Sequence, residues 1–189
     1  MPPSPAPADQ AVALLRELGA ADIAHPGGTL LAHCQRVQDG LALWGARPAL
    51  QLAGLCHAFY GTDGFATALL SPDRRSELGD VIGAEAEAIV YLYASCDRTA
   101  TYPTLADADG GFRNRFTGRT ETPEPHLLRD FAELSAANEL DLARIDPAFR
   151  RKWGAELLAL FTRFRPLLSR AAWSDCRAVL AAGSPGLSE

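Results

Sequence analysis

Between Leu30 and Phe65 the chain reads LLAHCQRVQDGLALWGARPALQLAGLCHAFYGTDGF, two apolar stripes at helical spacing joined by a WGARP turn. Leu30, Leu31, Val37, Leu41 and Trp44 form the first stripe, and Leu50, Leu52, Ala53 and Cys56 the second. A turn this short sends the second helix back antiparallel to the first. His33 lies on the first helix and His57 at the end of the second, so the hairpin predicts two imidazoles meeting across one groove. Tyr60 follows His57 by three residues, which puts it on the same face if the helix runs on, and Thr62 and Asp63 add a polar cluster.

The rest of the chain repeats the helical pattern. Asp9 reads as the N-cap of a first helix with Val12, Leu14, Leu15 and Leu18 inside and Gly19 as its stop. FATALLSPDRRSELGD reads as a short helical piece, a break at Ser71-Pro72 and a further helix. IGAEAEAIVYLYASCD, HLLRDFAELSAANELDLARI, FRRKWGAELLALFTRFRPLL and SRAAWSDCRAVLAAG give four more. The prediction is an all-α single domain of about seven or eight helices over residues 9–183, with tails at 1–8 and 184–189. Periodicity disappears from Asp97 to Pro125. A compact domain seldom keeps so long an irregular segment unused, so it reads as a lid or substrate-contacting loop; FRNRFTGR reads equally well as a small hairpin. In the first case Arg98, Arg113 and Arg115 are the residues to hold a carboxylate or phosphate.

At 189 residues the chain suits one core. A net charge of -5 without any Lys/Arg block argues against nucleic acid and anionic membranes as partners and leaves a small-molecule substrate. The sequence has no long uninterrupted apolar run, and MPPSPAPADQ lacks a signal-peptide pattern, so a cytoplasmic location is expected. Cys34, Cys56, Cys96 and Cys176 are widely spaced and read as buried thiols. His25 and His126 read as structural histidines, the latter in the first turn of its helix. Trp44, Trp153 and Trp173 are assigned to the core or to a homodimer interface.

A histidine on one helix, a second at the end of the next and a polar ligand on a later helix is the layout of the HD-domain superfamily, mostly metal-dependent phosphohydrolases. From about Ala24 to Ala143 the chain resembles that superfamily: His33 in LLAHC matches its first histidine, His57 in AGLCHAFYGT the histidine of the His-Asp pair, and ANELDLAR its last ligand-bearing helix. HAFYGTDGF itself looks like a subgroup of HD-like bacterial proteins of unassigned function. The resemblance implies an HD-like bundle and a metal site at His33, His57 and Asn138.

Two departures accompany it. Ala58 stands where the family has its aspartate, and Asn138 where it has the terminal one. Two imidazoles and an amide carry no negative charge, which disfavours Mg2+ and leaves either no metal or one Zn, Fe or Mn ion, with His25, Asp63 or Asp141 as further donors. Without a metal, His57, Tyr60 and His33 form an acid–base set suited to isomerisation, elimination, dehydration or cyclisation of a small molecule. Ser71, Cys34 and Cys56 are weaker nucleophile candidates. The enzyme classes are therefore a reduced-ligand hydrolase or a lyase/isomerase. The alternatives are an HD-like di-iron oxygenase and a non-catalytic descendant that binds a ligand or partner.

Overall fold

Four of the helices begin on a proline, whose fixed φ suits the first helical turn and whose missing N–H is not needed there. A computed structural model describes residues 5–107 and 109–181 of the chain. In order the helices are α1 (Pro7–Glu17), α2 (Leu30–Leu43), α3 (Pro48–Cys56), α4 (Arg75–Ile82), α5 (Ala84–Ser95), the single turn α6 (Arg98–Thr101), α7 (Pro125–Ile145), α8 (Pro147–Arg163) and α9 (Arg170–Ala181). Two hairpins are the only paired strands among the described residues: β1 (Ala24–His25) with β2 (Gly28–Thr29), and β3 (Phe112–Asn114) with β4 (Arg119–Glu121), both antiparallel. The fold is an all-α single domain.

The first helix begins earlier than the sequence suggested. Pro7 opens α1, and Asp9 lies in its first turn rather than capping it, because proline at that position starts a helix instead of preventing one. The proposed boundary at residue 9 therefore moves back to Pro7, and the remainder of the two expected tails, 1–4 and 184–189, falls outside the described residues. Thr29 caps α2 through a hydrogen bond that its hydroxyl accepts from the Ala32 N–H, and Asp146 caps α8 in the same way from Ala148 and Phe149. Phe65–Leu70 forms no helix, and Ser71 caps a 3-10 turn ahead of α4.

The long segment after α5 is not an open loop. Asp97 caps α6, and the β3–β4 hairpin folds back so that the Arg115 N–H donates to the Ser95 carbonyl at the end of α5. Phe112 and Asn114 are buried beneath it. Its described backbone is paired locally at α6 and along the β3–β4 hairpin.

The core lies between α2, α3, α5 and α7. Leu41, Leu55, Ile89, Phe131 and Leu134 are fully or nearly fully buried there. Trp44 and Trp173 pack on its edge, and Trp153 on α8 is 38 % exposed. Among the described residues no helix is long and apolar enough to cross a membrane.

Candidate functional site

Helices α2, α3 and α7 each contribute one side chain to a buried cluster. His33 and His57 approach with 3.2 Å between their Nε2 atoms, and the Asn138 Oδ1 lies 3.0 Å from the same His33 Nε2. All three residues are no more than 9 % exposed. They border a cavity of about 430 Å³ whose wall includes Leu30, Phe65, Leu142 and Phe149, with Arg98 and Glu139 at one side.

Each of the three groups is fixed from behind. His57 closes α3 and its Nδ1 lies 2.7 Å from the Gly54 carbonyl, which can only accept, so Nδ1 carries the hydrogen and Nε2 a lone pair in the neutral ring. The His33 Nδ1 donates to the Asp141 carboxylate at 2.6 Å, which turns the His33 Nε2 lone pair toward the same point. Arg36 holds that carboxylate from the other side, with Nε at 2.7 Å and Nη2 at 3.0 Å. The Asn138 amide donates to Glu139 through Nδ2 at 3.2 Å, which leaves its oxygen for the cluster. With both rings neutral, three acceptor atoms face one another without a hydrogen between them.

The electrostatics follow from burial. His57 is pushed down to about 3, first by its loss of solvent and then by the neighbouring His33. Burial, again with His33, lowers His25 to about 4. For Asp141 burial works the other way, yet the bonds from His33 and Arg36 outweigh it and keep the carboxyl below its ordinary range. His25, on β1, stacks on His33 with ring centroids 4.1 Å apart. It shares the cavity wall, and its Nδ1 is buried with no partner among the described residues. The tight turn that delivers it needs Gly27, where a Cβ would come within 2.7 Å of the Ile145 side chain.

Other residues singled out from the sequence lie elsewhere. Tyr60 does not join His57, because α3 ends at Cys56 and the chain turns; its hydroxyl instead donates to the Glu87 carboxylate at 2.9 Å, a bond that Arg75 completes from α4. Burial and Glu87 raise its pKa, and Tyr60 is not among the residues that line the cavity. Arg113 and Arg115 are exposed on the hairpin, and Arg115 donates to the Ala94 carbonyl rather than facing the cavity. Asp63 accepts from the Arg98 N–H and so positions α6. Thr62 and Arg98 do line the cavity. Burial disfavours the Arg98 charge, but a guanidinium keeps its proton and this one is paired with Glu139.

Asp141 belongs behind His33 rather than at the cluster, a role readable from its place one turn after Asn138 on α7. Arg36, one turn after His33, went unnoticed for lack of any sign that it would meet Asp141. Cys34 and Cys56 are buried thiols, the former pushed up to about 12 by desolvation, and Ser71 is only a cap. His126 is exposed in the first turn of α7.

Among the described residues no three His, Cys, Asp or Glu side chains converge on a common point; the third donor here is an amide. The two separations made by the His33 Nε2 are those of neighbouring ligands on one ion. Ligands at a metal–nitrogen distance of about 2.1 Å stand about 3.0 to 3.4 Å apart for octahedral and tetrahedral angles, and the two separations observed are 3.0 and 3.2 Å.

No curated protein and no solved structure matches the chain. Its residues 14–98, from within α1 to the first residue of α6, match the family described as Domain of unknown function (DUF6817), a span that takes in His25, His33 and His57 but not Asn138 or Asp141.

Proposed function

We propose that this chain is an enzyme on an HD-like scaffold that acts on a small molecule, with one divalent cation held by His33, His57 and Asn138. One observation carries the reading: the His33 Nε2 lies 3.2 Å from the His57 Nε2 and 3.0 Å from the Asn138 Oδ1, each group is held by a bond from behind, and with both rings neutral all three are acceptors beside a cavity. Buried acceptors without a donor cost free energy, and a cation between them removes the conflict. Two imidazoles and an amide oxygen favour Zn2+ or Fe2+ over Mg2+. Asp141 supplies the usual carboxylate behind a ligating histidine and, with Arg36, fixes its tautomer. The placing of the three residues on α2, at the end of α3 and on α7 supports the HD reading, in which Ala58 and Asn138 would stand where the superfamily has carboxylate ligands.

Such an ion, when bound, supplies Lewis acidity, which suits hydrolysis of a phosphorylated or acylated small molecule. The protein's own residues bind and orient that substrate. Arg98 keeps its charge at the cavity wall, where it can meet an anionic group, and Leu30, Phe65, Leu142 and Phe149 exclude water around the apolar part. The net acidic chain has no role for nucleic acid in this reading.

A second reading rests on the same three atoms with a proton in place of the metal. His33, backed by Asp141, would share it with His57 and act as general base and acid in an isomerisation or elimination. Elemental analysis of protein purified without added metal, followed by titration calorimetry with Zn2+, separates the two. About one equivalent of metal, with affinity lost in His57→Ala, supports the first. Metal-free protein with no measurable Zn2+ affinity removes it and leaves the proton.

A further inference from the structure

A second cavity, of about 500 Å³, opens between α6 and α8 and has no part in the cluster. It shares Arg98, Glu139 and Phe149 with the first, so the two meet along one wall. Beyond that wall its lining includes Tyr102 from the end of α6, Trp153, Leu157 and Leu160 from α8, and the charged Glu156 and Arg163 of the same helix. Trp153 is 38 % exposed, an unusual state for a tryptophan with an apolar neighbourhood.

The Tyr102 ring forms part of the wall and packs edge-on against Phe131 and Phe164, at 6.2 and 5.5 Å, with its hydroxyl oxygen buried within the protein. Arg98, at the junction, donates from Nη1 to Glu139 at 3.3 Å and from Nη2 to the Tyr93 hydroxyl at 3.1 Å. A guanidinium carries five N–H groups, so the shared wall retains donor capacity.

We infer that the two cavities form one substrate channel, and that the substrate is elongated: a polar head at the His33, His57 and Asn138 cluster, and an apolar, ring-bearing tail that passes Phe149 and lies against Trp153, Leu157 and Leu160. This rests on the cluster as the reacting end, as proposed above. It accounts for two adjoining cavities with a shared wall and for a partly exposed tryptophan lining the second. A compact substrate such as a simple sugar phosphate would leave both unexplained.

The test is calorimetric titration of the full chain, loaded with Zn2+, using phenylalkyl phosphonates of increasing chain length against methylphosphonate. At one chain length affinity rises about tenfold or more over methylphosphonate, the gain expected from burying a ring. Leu157→Trp, which fills the second cavity, cancels that difference. Equal affinity for every chain length, or a tail gain that survives Leu157→Trp, overturns the inference. If the cation reading fails, the phosphonates lose their anchor, and 4-phenylbutanol with metal-free protein takes their place: binding that Leu157→Trp removes supports the channel, and no binding overturns it.

Discussion

His57 and Tyr60 stand three residues apart in one buried turn, yet they enter two polar networks of opposite character. Around Tyr60, Glu87 accepts from the phenol at 2.9 Å and from the Arg75 Nε and Nη2, both at 2.7 Å. Donors and acceptors balance, charge is matched, and the guanidinium also lies over the Tyr91 ring at 3.7 Å. Around His57 the backing bonds are equally good, but in the neutral state the front of the network is three acceptors with no donor. A closed network of this kind ties α4 and α5 to the turn after α3. An open one beside a cavity asks for something from outside, and this contrast distinguishes a structural polar cluster from a candidate site.

Four measurements break or sharpen the contrast. The largest effect is expected from acid on the metal-free protein. With its folded pKa pushed down to about 3, His57 makes the unfolded chain bind more protons than the folded one below the ordinary histidine value. Stability from this group is therefore complete above about pH 6.5 and falls as pH drops toward 3, by about 3 kcal/mol at pH 4. Denaturant unfolding across that range reads it, and a flat profile would mean that the imidazole is not desolvated.

Next comes Glu87→Ala, which strands Arg75 and the Tyr60 hydroxyl. Because the Arg75 side chain is 39 % exposed and can reach water, the loss should be about 2 kcal/mol rather than the larger cost of a fully buried pair. Zn2+ affinity should not change, since none of these groups touches the cluster. Asn138→Asp restores a negative donor to the open network and should tighten Zn2+ by about tenfold; weaker binding would show that the amide is not a ligand. Smallest is Tyr60→Phe, which removes one hydrogen bond and should cost about 1 kcal/mol in thermal or chemical unfolding, with no effect on metal or ligand binding.

The sequence made the open network more legible than the closed one. His33 and His57 lie on two strongly periodic helices joined by a short turn, so their meeting follows from the hairpin alone. Asn138, more than a hundred residues on, could be placed only through the resemblance of its helix to a known layout. Tyr60 was misplaced because nothing local marks Cys56 as the last residue of α3; the partners that draw the phenol away, Glu87 and Arg75, lie on later helices. The segment after Asp97 looked irregular because its two strands are three residues each, too short for alternation to register. Asp9 marks a helix start two residues late, because Pro7, with its φ fixed near the helical value, already opens the first turn.

Gly54 makes contact on two sides of the site. A side chain there would press into the Leu41 Cδ1 at 2.5 Å, so its absence lets α3 lie close on α2, and its carbonyl is the one that receives the His57 hydrogen. The spacing of the two imidazoles is thus an interhelical distance, set by a residue with no chemistry of its own. Enlarging that residue by a single methyl group would press first on the Leu41 side chain that lies between the two helices. The approach of the two imidazoles is in that sense a property of backbone packing, set at a position no inventory of functional groups would flag.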